Sequence, residues 1–274
     1  MVLKGNLLFN GDFETGDTEG WNSNPFGLSD EHDFFVSSSA RYRGDYGGTL
    51  LAGVDYANLY LLYDKIFSFE EYEGYLYMCF VNNVNATANA LVLYGLDDKG
   101  NLNDLHYITY NQETNAWRLY TCIIRGLSKY THFKVGFWGY SINAGGKFYI
   151  DEAKLIPLKS IKSYNLSEYW SFSNVTSTFN KYTTLGGVGE FKLKSIIQVD
   201  SVSGSSPTLD IRLIVAQLED IGVTREYNHS QFTNTGSERI EHIVENVGYI
   251  NVRYEVGGTD PSFSFRHVII LKPQ

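Results

Sequence analysis

The sequence contains few of the residues that cross-link or interrupt a fold: 2 cysteines, 5 prolines and 2 methionines among 274 residues. Cys79 and Cys122 are too few for a disulfide framework and match no zinc-site spacing; they either pair with each other or remain buried thiols. No stretch approaches the roughly 18 apolar residues of a membrane-spanning helix. The N-terminus lacks the basic and apolar regions of a secretory signal. The sequence therefore predicts neither a disulfide-stapled scaffold nor a membrane span.

Charged residues are also scarce, at 19% of the chain, and the 31 acidic residues outnumber the 22 basic ones. A net charge of −9 repels phosphate backbones, so nucleic acid is not an expected partner. Hydrophobic residues make up 43% of the chain, which is too many for a disordered protein. We therefore expect an ordered core beneath an acidic surface.

Helical patterns are nearly missing, whereas 21 tyrosines, 17 phenylalanines and 26 glycines are present. Aromatic and β-branched side chains fit a pleated surface, and short apolar or alternating runs recur between turn-rich segments. These runs are Leu59–Tyr63, Tyr75–Asn82, Ala90–Tyr94, Trp117–Ile124, Phe133–Tyr140 and Lys147–Leu155. The pattern predicts an all-β fold, built as an antiparallel sandwich or jelly roll over residues 1–158.

A second series of strands follows a boundary near Pro157 and occupies residues 159–274. Apolar residues alternate in TLDIRLIV, at Leu209, Ile211 and Leu213, and again in YINVRYEV. A period of two is typical of a half-buried sheet. We expect strands at residues 190–199, 208–217, 249–256 and 262–271, which together form a smaller antiparallel β-sandwich.

Four segments of the first part occur in the order and spacing of a known family. They are NLLFNGDFETGDTEGW (Asn6–Trp21), YRGDYGGTLLAG (Tyr42–Gly53), NAWRLYTCII (Asn115–Ile124) and GKFYIDEAKLIPL (Gly146–Leu158). Together they resemble the jelly-roll carbohydrate-binding modules that are attached to xylanases and glucanases. The resemblance spans roughly residues 6–158 and implies a non-catalytic module that binds a glycan.

The resemblance also implies a structural calcium ion, because such modules place their first and last strands side by side. Glu14 and Asp151 match the ligand positions, and Asp12 is a third candidate. Neighbouring carboxylates repel unless they are protonated or bridged by a cation, and calcium prefers oxygen ligands. Alternatively, these carboxylates cap turns or pair with Lys147 or Arg43. Trp21 is either a core residue or a sugar platform, and we favour the core.

A sugar-binding surface needs flat aromatic faces with polar groups around them. Strand alternation predicts an outward face for Trp138 and Tyr140, and another for Tyr75 and Tyr77. The expected carbohydrate-binding residues are Trp138, Tyr140, Tyr75, Tyr77, Tyr60 and Tyr120. An outer face with so many rings is more apolar than solubility requires. Packing against another domain or subunit, or cross-strand pairing, would explain the same pattern.

The C-terminal part carries a weaker resemblance. GYINVR (Gly248–Arg253) and GTDPSFSF (Gly258–Phe265) resemble a segment of β-sandwich domains in phage and virus particle proteins. No GxSxG, HExxH or phosphate-loop motif is present, so we expect no enzyme. The first hypothesis is a carbohydrate-binding adhesion protein, extracellular or on a virion surface, whose partner is a glycan or cell-surface polysaccharide. The alternative is a structural or decoration protein with virion or homo-oligomeric partners.

Overall fold

A computed structural model describes residues 5–25, 32–97, 99, 102–112, 115–126, 130–218 and 223–274, with residues 102–104 described by their backbone alone. The chain divides into two compact units, Met1–Ile161 and Lys162–Gln274. Both units consist of β-strands, which confirms the predicted all-β fold class. Among the described residues, no helix has the length and apolar character needed to cross a membrane.

The first unit contains eleven strands and one 3-10 turn, at Ser38–Ala40, among its described residues. The strands are β1 (Trp21–Asn22), β2 (His32–Ser37), β3 (Gly47–Ala52), β4 (Ala57–Tyr63), β5 (Phe67–Ser68), β6 (Gly74–Val84), β7 (Ala88–Leu96), β8 (Leu102–Asn111), β9 (Trp117–Ile124), β10 (His132–Ser141) and β11 (Lys147–Leu158). Each expected run of this part lies within one of them.

These strands form two antiparallel sheets. The first sheet has the order β1-β4-β10-β7-β8, with β5 paired to β10. In the second sheet, β9, β6, β11, β3 and β2 lie side by side in that order. The two inner faces form the core: the rings of Phe137 and Phe148 lie 5.5 Å apart, and the Tyr77 hydroxyl donates to the Gly136 carbonyl at 3.0 Å. Such contacts join the sheets into a sandwich.

The predicted outward orientation of Tyr75, Tyr77 and Tyr120 is wrong. Each of these tyrosines is only 1% exposed and belongs to the core. Their large rings fill the space between the sheets, and hydroxyl hydrogen bonds remove the usual cost of burying a phenol: Tyr77 donates to Gly136 and Tyr75 donates to the Ser68 carbonyl. These three tyrosines therefore present no ring to a ligand.

The core of the first unit also contains both cysteines and Trp21. Cys79 and Cys122 are both buried and free, and burial raises the pKa of each thiol above its ordinary value. Trp21 is 6% exposed and packs edge-on against Tyr63 at 5.2 Å. Its indole N–H donates to the Asn10 carbonyl at 3.1 Å. Trp21 is therefore a core residue, as expected.

The second unit contains β12 (Leu166–Val175), β13 (Phe179–Tyr182), β14 (Leu185–Gln217), β15 (Thr224–Asn228) and β16 (Gly236–Pro273). The four runs expected from sequence fall inside the long strands β14 and β16. Where these strands pair, residue numbers in β16 fall as those in β14 rise, as at Leu193–Leu271 and Val199–Phe265. The paired segments therefore run in opposite directions.

Both long strands contribute to two layers. In one layer, residues 191–203 of β14 lie between two segments of β16, residues 262–273 and 236–244, with β12 at the edge. In the other layer, residues 208–217 of β14 lie between residues 247–257 of β16 and β15, with β13 at the edge. This alternation between two four-stranded layers is a jelly-roll arrangement.

Glycines allow the long strands to pass from one layer to the other. Gly204 and Gly258 have φ values of +112° and +105°, which only glycine adopts without strain. A Cβ atom on Gly204 would lie 2.6 Å from the Asp260 carbonyl oxygen. Between the layers, the rings of Tyr254 and Phe265 pack at 5.1 Å. The predicted second sandwich is confirmed.

Candidate functional site

The outer face of the first sheet carries a group of aromatic side chains. We call it the ring face and define it as Tyr60, Tyr107, Tyr110, Trp138 and Tyr140. All five residues are partly exposed. Tyr60 belongs to β4, Trp138 and Tyr140 to β10, and Tyr107 and Tyr110 to β8. Three of the residues expected to bind carbohydrate, Tyr60, Trp138 and Tyr140, are thus brought together on one surface.

Alternation along β10 directs its rings to this face. Phe133, Val135 and Phe137 are fully buried in the sandwich, whereas Trp138 and Tyr140 are partly exposed. The inward position between the two outer rings is occupied by Gly139, where a Cβ atom would lie 2.4 Å from the ring of Phe148. A glycine at this point lets the strand pack closely on the core beneath the ring face.

A β-bulge in β8 adds the two rings that the sequence pattern did not predict. Thr109 has a φ of +64°, and the register against β7 shifts between the pairs Leu91–Ile108 and Asn89–Asn111. The extra residue reverses the alternation. Tyr107 and Tyr110 therefore both point outward, although they are three positions apart. Nothing in the local sequence marks this bulge.

Trp138 lies at the centre of the ring face. Its indole N–H donates to Asn58 Oδ1 at 3.1 Å. Ring centroids lie 5.0 Å away for Tyr107, in an edge-on arrangement, and 6.1 Å and 6.3 Å away for Tyr110 and Tyr140. The plane of Tyr140 is within 6° of the indole plane. A hydrogen bond and three ring neighbours thus fix the orientation of a partly exposed indole.

Contacts with neighbouring side chains hold the tyrosines of the ring face in place. The Tyr60 and Tyr107 hydroxyls lie 3.4 Å apart, although three strand spacings, about 14 Å of sheet, separate β4 from β8. Leu62, Val92 and Tyr94 form a buried cluster against which Tyr107 and Trp138 pack. Burial raises the pKa of Tyr107 and of Tyr94 above the ordinary tyrosine value. The hydroxyls of Tyr107 and Tyr94 are therefore neutral at physiological pH and can donate and accept hydrogen bonds.

Polar groups border the rings. The exposed Gln112 donates to the Tyr110 hydroxyl at 2.9 Å, and Asn58 lies beside Trp138. Aromatic faces can pack on the C–H groups of a sugar ring, while amides and hydroxyls can bind its hydroxyl groups. The ring face thus combines flat aromatic rings with hydrogen-bonding amides and hydroxyls.

The carboxylates of Glu14 and Asp151 bind the same loop. Asp151 Oδ2 accepts hydrogen bonds from the backbone N–H groups of Tyr42 and Arg43 at 2.7 Å and 2.9 Å. Glu14 Oε1 accepts from the N–H groups of Asp45 and Tyr46 at 2.9 Å and 3.0 Å. We call residues 42–46 the anchor loop. Both ends of the first unit are therefore fastened to one loop.

The environments of these carboxylates differ. Asp151 is fully buried, and burial raises its pKa to about 6 against three backbone N–H donors that lower it. Glu14 is exposed. The Arg43 contact is made by its backbone rather than its guanidinium. Turn capping, one of the alternatives drawn from sequence, is therefore present.

Asp12 does not complete a cluster around them. It is exposed, and its carboxylate accepts a 3.4 Å hydrogen bond from the Glu14 backbone. Within the described ranges, no group of three or more His, Cys, Asp or Glu side chains is placed to hold a metal ion. Backbone N–H groups donate to both carboxylates. Calcium binding at Glu14, Asp151 and Asp12 stays a prediction.

No family model and no curated protein matches the sequence. The solved structures to which the chain is similar are mostly carbohydrate-binding modules. The N-terminal CBM22-1–CBM22-2 tandem domain of Xyn10C from Paenibacillus barcinonensis is 12% identical, with 98% of each chain covered and a TM-score of 0.40.

Two further structures are similar to part of the chain. TmCBM61 in complex with β-1,4-galactotriose is 17% identical, covers 56% of this chain and 99% of its own, and has a TM-score of 0.40. The enzymatically active domain of tailspike protein 4 from bacteriophage CBA120 is 15% identical, covers 56% of this chain and 21% of its own, and has a TM-score of 0.43. At this level of similarity, function has to be derived from the residues of the site.

Proposed function

We propose that the first unit is a non-catalytic carbohydrate-binding module and that the ring face is its binding surface. One observation carries the proposal: Trp138 is held by Asn58 and by three surrounding tyrosine rings, yet it remains partly exposed. A ring that served only the core would be buried. A fixed, partly exposed ring is preorganised, so it loses little conformational entropy when a ligand binds.

Binding would combine two kinds of contact. The rings of Trp138 and Tyr140 would pack on the apolar C–H faces of sugar units, and the hydroxyls of Tyr60 and Tyr107 would exchange hydrogen bonds with sugar hydroxyls. Gln112 would add a polar contact at the border. The partner is a glycan or a cell-surface polysaccharide, and the setting is extracellular or a virion surface.

The anchor loop supports this function indirectly. By fastening residues near both ends of the unit, Glu14 and Asp151 would stiffen the sandwich on which the ring face is built. A calcium ion at this point would add rigidity and would take no part in sugar contact. The rings, amides and hydroxyls of the described ring face can bind a sugar without cleaving it, which supports a non-catalytic role.

Substitution of Trp138 tests the proposal. Trp138→Ala should abolish retention of the protein by immobilised polysaccharides in affinity electrophoresis. Tyr169→Ala is the matched control, because Tyr169 is 58% exposed but belongs to the second unit. Circular dichroism would confirm that both variants fold. Unchanged retention of a folded Trp138→Ala protein would contradict the proposal, and release of reducing sugar by the wild-type protein would contradict its non-catalytic part.

A further inference from the structure

The two ends of the ring face differ. At the end near Tyr94, the outer surface is filled: Leu62, Val92 and Tyr94 are buried, and Leu105 and Tyr107 pack against them. Tyr94 is only 5% exposed. A ligand that followed the strands in this direction would meet packed side chains. At this end, the ring face therefore passes into closely packed side chains.

At the opposite end, the surface continues beyond the strands. Tyr140 lies opposite Asn58, and Ser141 lies opposite Ala57. The Tyr56 N–H then donates to the Ile142 carbonyl at 3.0 Å, which extends the same register by one pair. Since side chains alternate along a strand, Ile142 shares the outer side with Tyr140. Tyr56 and Ile142 are 68% and 41% exposed.

The position of Tyr56 is fixed rather than incidental. Its φ of +60° is an outlier for a bulky residue and strains the backbone. The hydrogen bond to Ile142 holds one side of the segment, and Asp55 Oδ1 accepts from the Ala144 N–H at 2.7 Å. A strained backbone that is locked by neighbouring loops holds the most exposed large aromatic side chain among the described residues at the open end of the ring face.

We propose that Tyr56 and Ile142 form an outer subsite, and that the ligand is an extended, linear glycan lying along β4 and β10. This inference rests on the proposed function. The four residue steps from Trp138 to Ile142 span about 13 Å, which exceeds one sugar ring and suits a chain of several units. Trp138 binds the inner part of the chain, and Tyr56 binds the part that leaves over the open end.

Chain length is the variable that tests this arrangement. The probes are disaccharides and hexasaccharides of the β-1,4-linked xylo-, cello-, manno- and galacto- series, titrated by calorimetry against the full chain. Wild-type protein should bind a hexasaccharide at least about tenfold more tightly than the matching disaccharide. Tyr56→Ala should weaken hexasaccharide binding about fivefold, in the range of an aromatic contact at a binding surface, and leave disaccharide binding unchanged.

Three control proteins separate the outcomes. Tyr56→Phe should bind as the wild type does, because the ring provides the platform, and Tyr169→Ala should also be unaffected. Trp138→Ala should lose both ligand lengths. If Trp138→Ala loses binding while Tyr56→Ala keeps the wild-type preference for long chains, the outer subsite is refuted and the proposed function stands. If Trp138→Ala binds normally, the proposed function itself fails. If the wild-type protein binds no hexasaccharide, or binds it no more tightly than the disaccharide, the proposal of an extended ligand is refuted.

Discussion

Glu14 and Asp151 are fastened to the same five-residue loop from opposite ends of the first unit. Asp151 accepts the N–H groups of Tyr42 and Arg43, and Glu14 accepts those of Asp45 and Tyr46. The residue between the two pairs is Gly44. The relationship explains how an acidic, glycine-rich opening segment contributes to the fold: its carboxylate binds the anchor loop beside the carboxylate of the last strand.

Calcium should stabilise this arrangement if the cation expected from sequence binds there. We predict that calcium chloride raises the melting temperature of the wild-type protein by a few degrees relative to EDTA, because a ligand that binds only the folded state stabilises it. The measurement is differential scanning fluorimetry. Glu14→Gln should lose the shift, and Glu70→Gln, which changes another exposed acid, should keep it. Identical melting curves of the wild type in calcium and EDTA would rule out this site.

Gly44, the glycine of the anchor loop, should be sensitive to substitution. Its φ is +68°, and a Cβ atom there would lie 2.2 Å from Glu14 Oε1. Gly44→Ala should therefore lower the free energy of unfolding by about 1–2 kcal/mol for the left-handed backbone alone, and by more because the Glu14 carboxylate must move. Urea denaturation would measure the loss.

Gly145→Ala provides a matched control for this prediction. Gly145 has a φ of +83°, but no atom lies within 4 Å of an added Cβ. Its substitution carries the backbone cost without displacing a carboxylate. Equal destabilisation of the two variants would show that contact with Glu14 contributes nothing to stability.

Sequence patterns located the strands because each has one buried face. Val135 and Phe137 alternate with residues of the outer face, and the resulting period of two is independent of which sheet the strand joins. The same reasoning predicts an outward face for Tyr75 and Tyr77, although both are buried. The hydroxyls of Tyr75 and Tyr77 donate to backbone carbonyls inside the sandwich. The tertiary structure brings these acceptors close, so the strand sequence alone does not reveal them.

The site itself was only partly predictable. Trp138 and Tyr140 follow from alternation, but Tyr107 and Tyr110 reach the same face only through the bulge at Thr109. The outer position of Tyr56 likewise depends on a loop contact with Ile142. Bulges and loop contacts depend on residues distant in sequence, so composition and periodicity do not reveal them.

The second unit should lose stability as the pH falls below neutrality. Ser195 Oγ lies 2.7 Å from His229 Nε2 and 2.6 Å from His267 Nε2, deep in the core. His267 Nδ1 also contacts the Tyr254 hydroxyl, and His229 Nδ1 contacts Glu238. Burial, and for His267 also the neighbouring His229, lowers the pKa of His267 well below the ordinary value. Burial likewise lowers the pKa of His229, against the opposing effect of Glu238.

The sign of the pH effect follows from these directions. Both histidines take up protons more readily in the unfolded chain, so their neutral forms stabilise the fold above about pH 6.5, and this stability is lost as the pH falls toward the lower folded values. Denaturant midpoints at pH 7.5 and pH 5 would measure the loss. His267→Gln should reduce this dependence even if it lowers stability at both pH values. His132→Gln, which changes a histidine of β10 in the first unit, should retain it. An unchanged dependence in His267→Gln would exclude the buried histidine as its source.

Asn58 should position the indole of Trp138 rather than support the fold. Its Oδ1 accepts the indole N–H at 3.1 Å, and the residue is partly exposed, so water can replace the lost acceptor at small cost to stability. Asn58→Ala should weaken glycan binding severalfold by releasing the ring from a fixed orientation, with little change in melting temperature. Calorimetric titration would measure glycan binding, and a thermal melt would measure the melting temperature. Asn58→Asp keeps an acceptor oxygen and should bind more tightly than Asn58→Ala. If both variants bind as the wild type does, the neighbouring rings of Tyr107, Tyr110 and Tyr140 are sufficient to orient the indole.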